Sequence, residues 1–192
     1  KFFVIDQSVS DNSFLGHGSL LDNGKAYSRG IELTIQKKLA SDFYGLIGAS
    51  YSRAKYRDLN GEWRSRIYDN KFTFTIDGGY KPDEKWEFSM RWMYAGGAPY
   101  TPYNSELSAA SGTGIYNLNM VNQDRLPDYH SLNLRVDRRF NFASSSLVLY
   151  LSLWNVYARE NVISYYWNEI DNKLSTEKMW SLMPIFGLEY EL

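Results

Sequence analysis

The sequence predicts an all-β protein whose antiparallel, up-and-down strands form part of a transmembrane β-barrel. Three observations predict it. The first is strict alternation over 70–97: Phe72, Phe74, Ile76, Gly78 and Tyr80, then Trp86, Phe88, Met90, Trp92 and Tyr94, share one face. Thr73, Thr75, Asp77, Gly79, Glu87, Ser89, Arg91 and Met93 fall on the other. The second is where the rings lie. Tyr80 and Trp86 sit at the turn end and Trp92 and Tyr94 at the far end, with Ile76, Phe88 and Met90 between, which is the two-girdle pattern of a strand crossing a bilayer. The third is loop sorting: connections are short after Leu39, Lys81 and Phe142, and long before Tyr27 and after Tyr56, Tyr94 and Tyr157. Outer-membrane barrels have short periplasmic turns and long external loops, whereas a sandwich has no reason to sort loops by end.

Taken in order, 1–24 reads as an external loop with a short strand candidate at 2–5, and 25–192 as strands joined by short periplasmic turns and long external loops. The apolar run at the start is too short for a signal peptide, so the chain is expected to be a mature form or a piece of something longer. Segment 27–39 alternates Tyr27, Ile31, Leu33, Ile35 and Leu39 against Ser28, Gly30, Glu32, Thr34, Gln36 and Lys38, and turns at Ala40-Ser41-Asp42. The next strand, 43–56, has glycines diluting both faces, and a polar loop follows to Tyr68. In the central hairpin a three-residue turn is expected to set Tyr80 opposite Trp86 and Phe74 opposite Trp92. Segment 96–127 is the longest irregular stretch, and loops of that length are usually functional. Segment 130–142 resumes alternation, 147–157 is the next strand, 161–178 is expected to lengthen it and turn around 169–172, and 179–192 closes the wall. Pro184 is awkward in that last strand because it cannot donate to a ladder. This makes seven strands, with 2–5 as an eighth.

Composition narrows the class. With 17% aromatic residues but a mean hydropathy of -0.45, the chain is no helical membrane protein, although a barrel keeps half of each strand toward a wet lumen. A net charge of -1 makes no electrostatic case for nucleic acid. There is no cysteine, hence no disulfide and no thiolate metal site, and no cofactor motif is read. Inward positions carry Glu32, Lys38, Asp77, Glu87, Arg91, Arg135, Asp137 and Arg139. Burying them in a sandwich core would cost several kcal/mol per unpaired ion. A wet lumen removes that cost.

Several stretches, in their order and spacing, carry a resemblance: Gly24-Lys25-Ala26-Tyr27-Ser28-Arg29-Gly30-Ile31-Glu32-Leu33, Gly96-Gly97-Ala98-Pro99-Tyr100-Thr101, Arg125-Leu126-Pro127-Asp128-Tyr129, Leu153-Trp154-Asn155-Val156-Tyr157 and Gly187-Leu188-Glu189-Tyr190-Glu191-Leu192. Over 24–192 the chain resembles the C-terminal part of the barrel of a TonB-dependent outer-membrane receptor. Its ending is similar to the signal read by the barrel-assembly machinery, but finishes on Leu192 where the family usually has an aromatic residue. The resemblance implies a barrel of roughly 22 strands closed by a plug, of which this chain supplies about a third. It implies no chemistry by the chain itself, but energised uptake of a scarce nutrient: a siderophore, glycan, peptide or vitamin. The implied partners are outer-membrane lipid, the remaining barrel and plug in the same or another chain, the TonB complex through that plug, and a surface lipoprotein.

Among loop residues, Trp63, Tyr100, Tyr103 and Tyr116 are the candidates for stacking on a ligand, set against a girdle or loop-packing role. His17 and Ser19 are spaced as in certain outer-membrane lipid hydrolases, which raises the alternative of a complete eight-stranded lipid-modifying barrel, but turn formers surround them. Against that alternative, small inward residues such as Gly30, Thr34, Thr73 and Ser89 would not fill so narrow an interior. Adjacent His130 and Ser131 point to opposite faces and cannot pair. Asp58, Asn60 and Glu62 alternate like the first calcium ligands of an EF-hand, yet Trp63 stands where that loop needs glycine and Asp69 where it needs glutamate. A third reading, a soluble β-sandwich, requires Phe72, Met90 and Trp92 to be buried in protein.

Overall fold

The computed structural model describes Val4–Ile5, Leu20–Leu21 and residues 24–58 and 60–192. Seven long strands form one antiparallel sheet in chain order: β1 (Lys25–Ala40), β2 (Phe43–Arg57), β3 (Phe72–Tyr80), β4 (Trp86–Ala95), β5 (Tyr129–Asn141), β6 (Ser146–Trp154) and β7 (Met183–Glu191). Each pairs with its neighbours in sequence, so the sheet is an up-and-down wall. Val4–Ile5, the candidate eighth strand, pairs with Leu20–Leu21 in a separate small sheet and does not join it. The rest of 1–23, including His17 and Ser19, lies outside the described residues.

One face of the wall is apolar across all seven strands. Register aligns Ile35, Ile47, Ile76, Trp92 and Leu132 in one row and Phe43, Tyr80, Phe88, Val136, Leu151 and Phe186 in another. These side chains have no protein over them: Ile31 and Phe186 are each 76% exposed, and Val148 is the single buried large apolar residue among those described. Among the described residues no second layer packs on the wall, so the sandwich reading fails. Phe72 and Met90 are open to the surroundings.

The opposite face is charged and paired within itself. Asp77 sits directly across from Arg91 and binds it. Arg135 Nε donates to Asp137 at 3.0 Å, Arg139 Nη1 reaches Glu191 at 2.8 Å, and Tyr44 donates to Glu87. Two tyrosines on this face lie flat over glycines of the neighbouring strand, Tyr44 over Gly79 and Tyr150 over Gly187, where any Cβ would overlap the ring. Gly187 opens the terminal motif, and this contact is a physical reason for glycine there. The Arg135 guanidinium covers the Tyr150 ring at 3.9 Å, a cation–π contact.

The turns explain where expectation and structure part. Ser41 and Asp42, at φ 52° and 69°, make a two-residue connection between Ala40 and Phe43 of the kind whose twist suits a hairpin. In the central hairpin, Tyr80 faces Phe88 rather than Trp86, and Phe74 faces Tyr94 rather than Trp92. This two-residue offset leaves every side chain on its expected face. Its cause is the turn: Pro82 has no N–H, and Asp83 Oδ1 accepts from the N–H groups of Lys85 (2.7 Å) and Trp86 (2.8 Å). Trp86 therefore pairs with Arg138 of β5 alone. Segment 161–178, expected to lengthen the preceding strand, does not lengthen β6. Asn155, at φ 53°, ends that strand, and Val162–Asn168 pairs with Lys173–Lys178 as its own hairpin, turning at 169–172 as expected. Pro184 faces Leu153 on β7, which among the described residues is an edge strand.

With Met90 outward between the two girdles and Arg91 inward, Met90→Arg is expected to cost about 2–4 kcal/mol of barrel stability. Arg91→Ala, which removes a largely exposed ion pair, should cost under about 1 kcal/mol. Urea unfolding of the intact barrel in detergent measures both, and equal penalties would contradict the facing.

Candidate functional site

The three long loops, 58–71, 96–128 and 155–182, follow β2, β4 and β6 and so emerge at one end of the wall. Within 96–128, Pro99–Tyr100 pairs with Asp124–Arg125, and Tyr103 bridges Tyr116. Between them a short helix, Ser105–Ser111, is capped by Asn104, whose side chain accepts from Leu107 N, and closed by Gly112 at φ 73°.

A buried carboxylate ties these loops to the wall. Asp69 is fully buried; its Oδ1 accepts from Ala54 N at 2.8 Å and its Oδ2 from Arg125 Nη2 at 2.8 Å, with Arg53 Nε 3.6 Å away. Arg125 Nη1 also donates to the carbonyls of Asp69 and Gly97. One carboxylate thus joins β2 to two loops. Asp128 works beside it: it accepts from Tyr94 Oη at 2.6 Å and Gly97 N at 2.8 Å, and these hydrogen bonds hold its carboxyl below the usual range. Arg64 is a second buried knot, bonded to Asp58 (2.9 Å), Glu62 (2.7 Å) and the Asn119 carbonyl (3.0 Å). The third loop is fastened by Arg159 to the Asp128 carbonyl, Asn161 to His130, and Asn172 Nδ2 to the Ala109 carbonyl.

The loops and the end of β2 line an open cavity of about 770 Å³ that includes Tyr56, Tyr100, Tyr116 and Tyr165 with Arg64, Asn122 and several aliphatic side chains. Tyr100 and Tyr165 meet at 5.1 Å between ring centroids. Tyr103 and Tyr116 stack at 4.4 Å, with Trp167 against the far side of Tyr103 at 6.4 Å. Burial and the hydrogen bond to Tyr116 push the Tyr103 phenol up to about 12. Burial also raises Tyr100.

Residues 4–158 match the family described as TonB dependent receptor-like, beta-barrel. The chain belongs to this family. Among curated proteins, a search found no match. TonB-dependent receptors are transporters of the bacterial outer membrane, and the family accounts for a wall wetted on one face and apolar on the other. Of this receptor barrel, β1 to β6 fall within the matched residues, and β7 adds to them through its register with β6.

Of the aromatic residues singled out from the receptor's sequence, the loops bring together Tyr100, Tyr103 and Tyr116, with Tyr103 behind Tyr116. Trp63 lies apart, packed on Tyr27 at 5.1 Å. The alternating acids at 58–62 face a cation of the protein itself, because Asp58 and Glu62 both bind Arg64. His130 Nδ1 lies 2.7 Å from Tyr157 Oη, and Ser131 Oγ donates to Asn133. Asp69, Arg125, Tyr56 and Tyr165 escaped sequence reasoning. Asp69 is one of many loop acids, and its partners come from positions 53, 54 and 125, so no local pattern marks it.

Asp69→Ala would leave Arg125 and Arg53 facing a void. Because Arg125 keeps some solvent contact, the cost is expected near the lower end of the about 3–5 kcal/mol that follows from breaking a buried pair. Limited proteolysis should then cut within 96–128 while the barrel stays folded; an unchanged cleavage rate would refute the hub. For Tyr103, a raised folded-state pKa means its stabilising effect is complete below about 10, the unfolded value, and is lost as pH rises through about 12. Alkaline difference absorbance at 295 nm should show late-ionising phenols whose amplitude falls by one tyrosine in Tyr103→Phe.

Proposed function

We propose that this chain is a wall segment of a TonB-dependent transporter that takes up a scarce nutrient across the outer membrane. Its inner face and loops bind the ligand and pass it inward. The observation that carries this reading is the two-sided wall: a continuous apolar face that no described residue covers, backed by a face of partly exposed ion pairs. Backbone groups at β1 and β7 have one paired neighbour each among the described residues. An edge exposed to lipid would leave polar groups unsatisfied, so both edges pair with further strands of a barrel of roughly 22. The plug inside that barrel transmits the TonB signal, and a surface lipoprotein caps the loops. Siderophores, glycans, peptides and vitamins are the ligand classes to compare.

In cells, deletion of the receptor should abolish concentrative uptake of its nutrient. An uncoupler that collapses the inner-membrane proton gradient should do the same to the wild type. Uptake insensitive to both would sink the reading.

A further inference from the structure

From the lining of the loop cavity we infer that its ligand is uncharged and rich in hydroxyl groups, a neutral oligosaccharide. This rests on the transport reading and narrows its ligand. Asp58 and Arg64 are the charged residues lining the cavity, and they neutralise each other at 2.9 Å. The Arg64 guanidinium is engaged at all three nitrogens: Nε on Asp58, Nη2 on Glu62 and Nη1 on the Asn119 carbonyl, with the side chain 8% exposed. Asp58 Oδ1 accepts from Glu62 N at 2.8 Å. A phosphate, carboxylate or anionic ferric chelate would need an unpaired cation, and an ammonium group an unpaired carboxylate. Among the described residues the cavity wall holds neither.

Hydrogen bonding then selects among neutral ligands. Tyr56, Tyr100 and Tyr165 line the cavity, and their hydroxyls have no hydrogen-bond partner among the described residues. Phenols both donate and accept, as sugar hydroxyls do. A purely apolar ligand would strip water from these three groups and leave them unpaired, at a penalty that works against binding. Sugar hydroxyls satisfy them. The rings complete the match, because Tyr116 is backed on one face by Tyr103 yet remains 52% exposed, a supported platform for the C–H face of a pyranose. At about 770 Å³ the cavity falls within the range of small-ligand sites. Tyr56 also shares the inner face of β2 with Tyr44 and Ser50, which sets the cavity at the mouth of the lumen.

The test is isothermal titration of the intact receptor in detergent with maltoheptaose, xylohexaose and laminarihexaose, beside trigalacturonate and a neutral tripeptide. Saturable binding of at least one neutral oligosaccharide is expected. Tyr116→Ala should weaken it at least tenfold, and Tyr100→Phe, which keeps the ring and removes the hydroxyl, a few-fold, with heat-modifiable migration unchanged in both variants. Binding of trigalacturonate or the peptide alone, no binding across the panel, or neutral binding that both variants retain in full would overturn the assignment. Whole-cell uptake separates this failure from failure of the transport reading. Gradient-dependent accumulation of a charged or peptide nutrient preserves transport and removes the neutral ligand, whereas oligosaccharide binding without gradient-dependent uptake does the reverse.

Discussion

A sheet with lipid on one side and water on the other has to satisfy every backbone group within the sheet itself, and the rest of this structure follows from that constraint. It requires each strand to pair along its length, which the meander from β1 to β7 achieves through tight turns at one end. It also makes alternation the governing rule, because a one-residue slip would put Arg91 into acyl chains and Trp92 into the lumen. The two-residue offset of the central hairpin shows where tolerance lies. An even offset changes which side chains touch and leaves intact which solvent each one meets.

Stability in such a wall does not come from a core. Large apolar side chains gain their favourable environment from lipid. The inner face is held by cross-strand pairs such as Asp77 with Arg91 and by tyrosines laid over glycines. Exposed ion pairs of this kind contribute little individually. They pair opposite charges along the inner face of the wall.

The loops obey a different rule. Away from lipid, and too long to be held by strand pairing alone, they are organised by the buried polar knots at Asp69 and Arg64, which join segments far apart in the chain. Burying charge is costly unless every partner is present, so these knots specify one arrangement of the loops and hold the aromatic side chains in place around the cavity.

The sequence by itself determined the wall: which residues face lipid, which face the lumen, where the tight turns fall and that the chain ends in a strand. It could do so because the signal is periodic and local, with each residue's side of the sheet following from the parity of its position. Aromatic loop residues such as Tyr100 and Tyr116 were legible as candidates because exposed rings in long loops are conspicuous. Only the tertiary structure decided their surroundings. Asp69 meets Arg125 across more than fifty residues, Tyr165 reaches Tyr100 from another loop, and Pro82 with Asp83 reset the hairpin register. Such contacts depend on where loops fold back over the mouth of the wall, and no repeat in the chain encodes that.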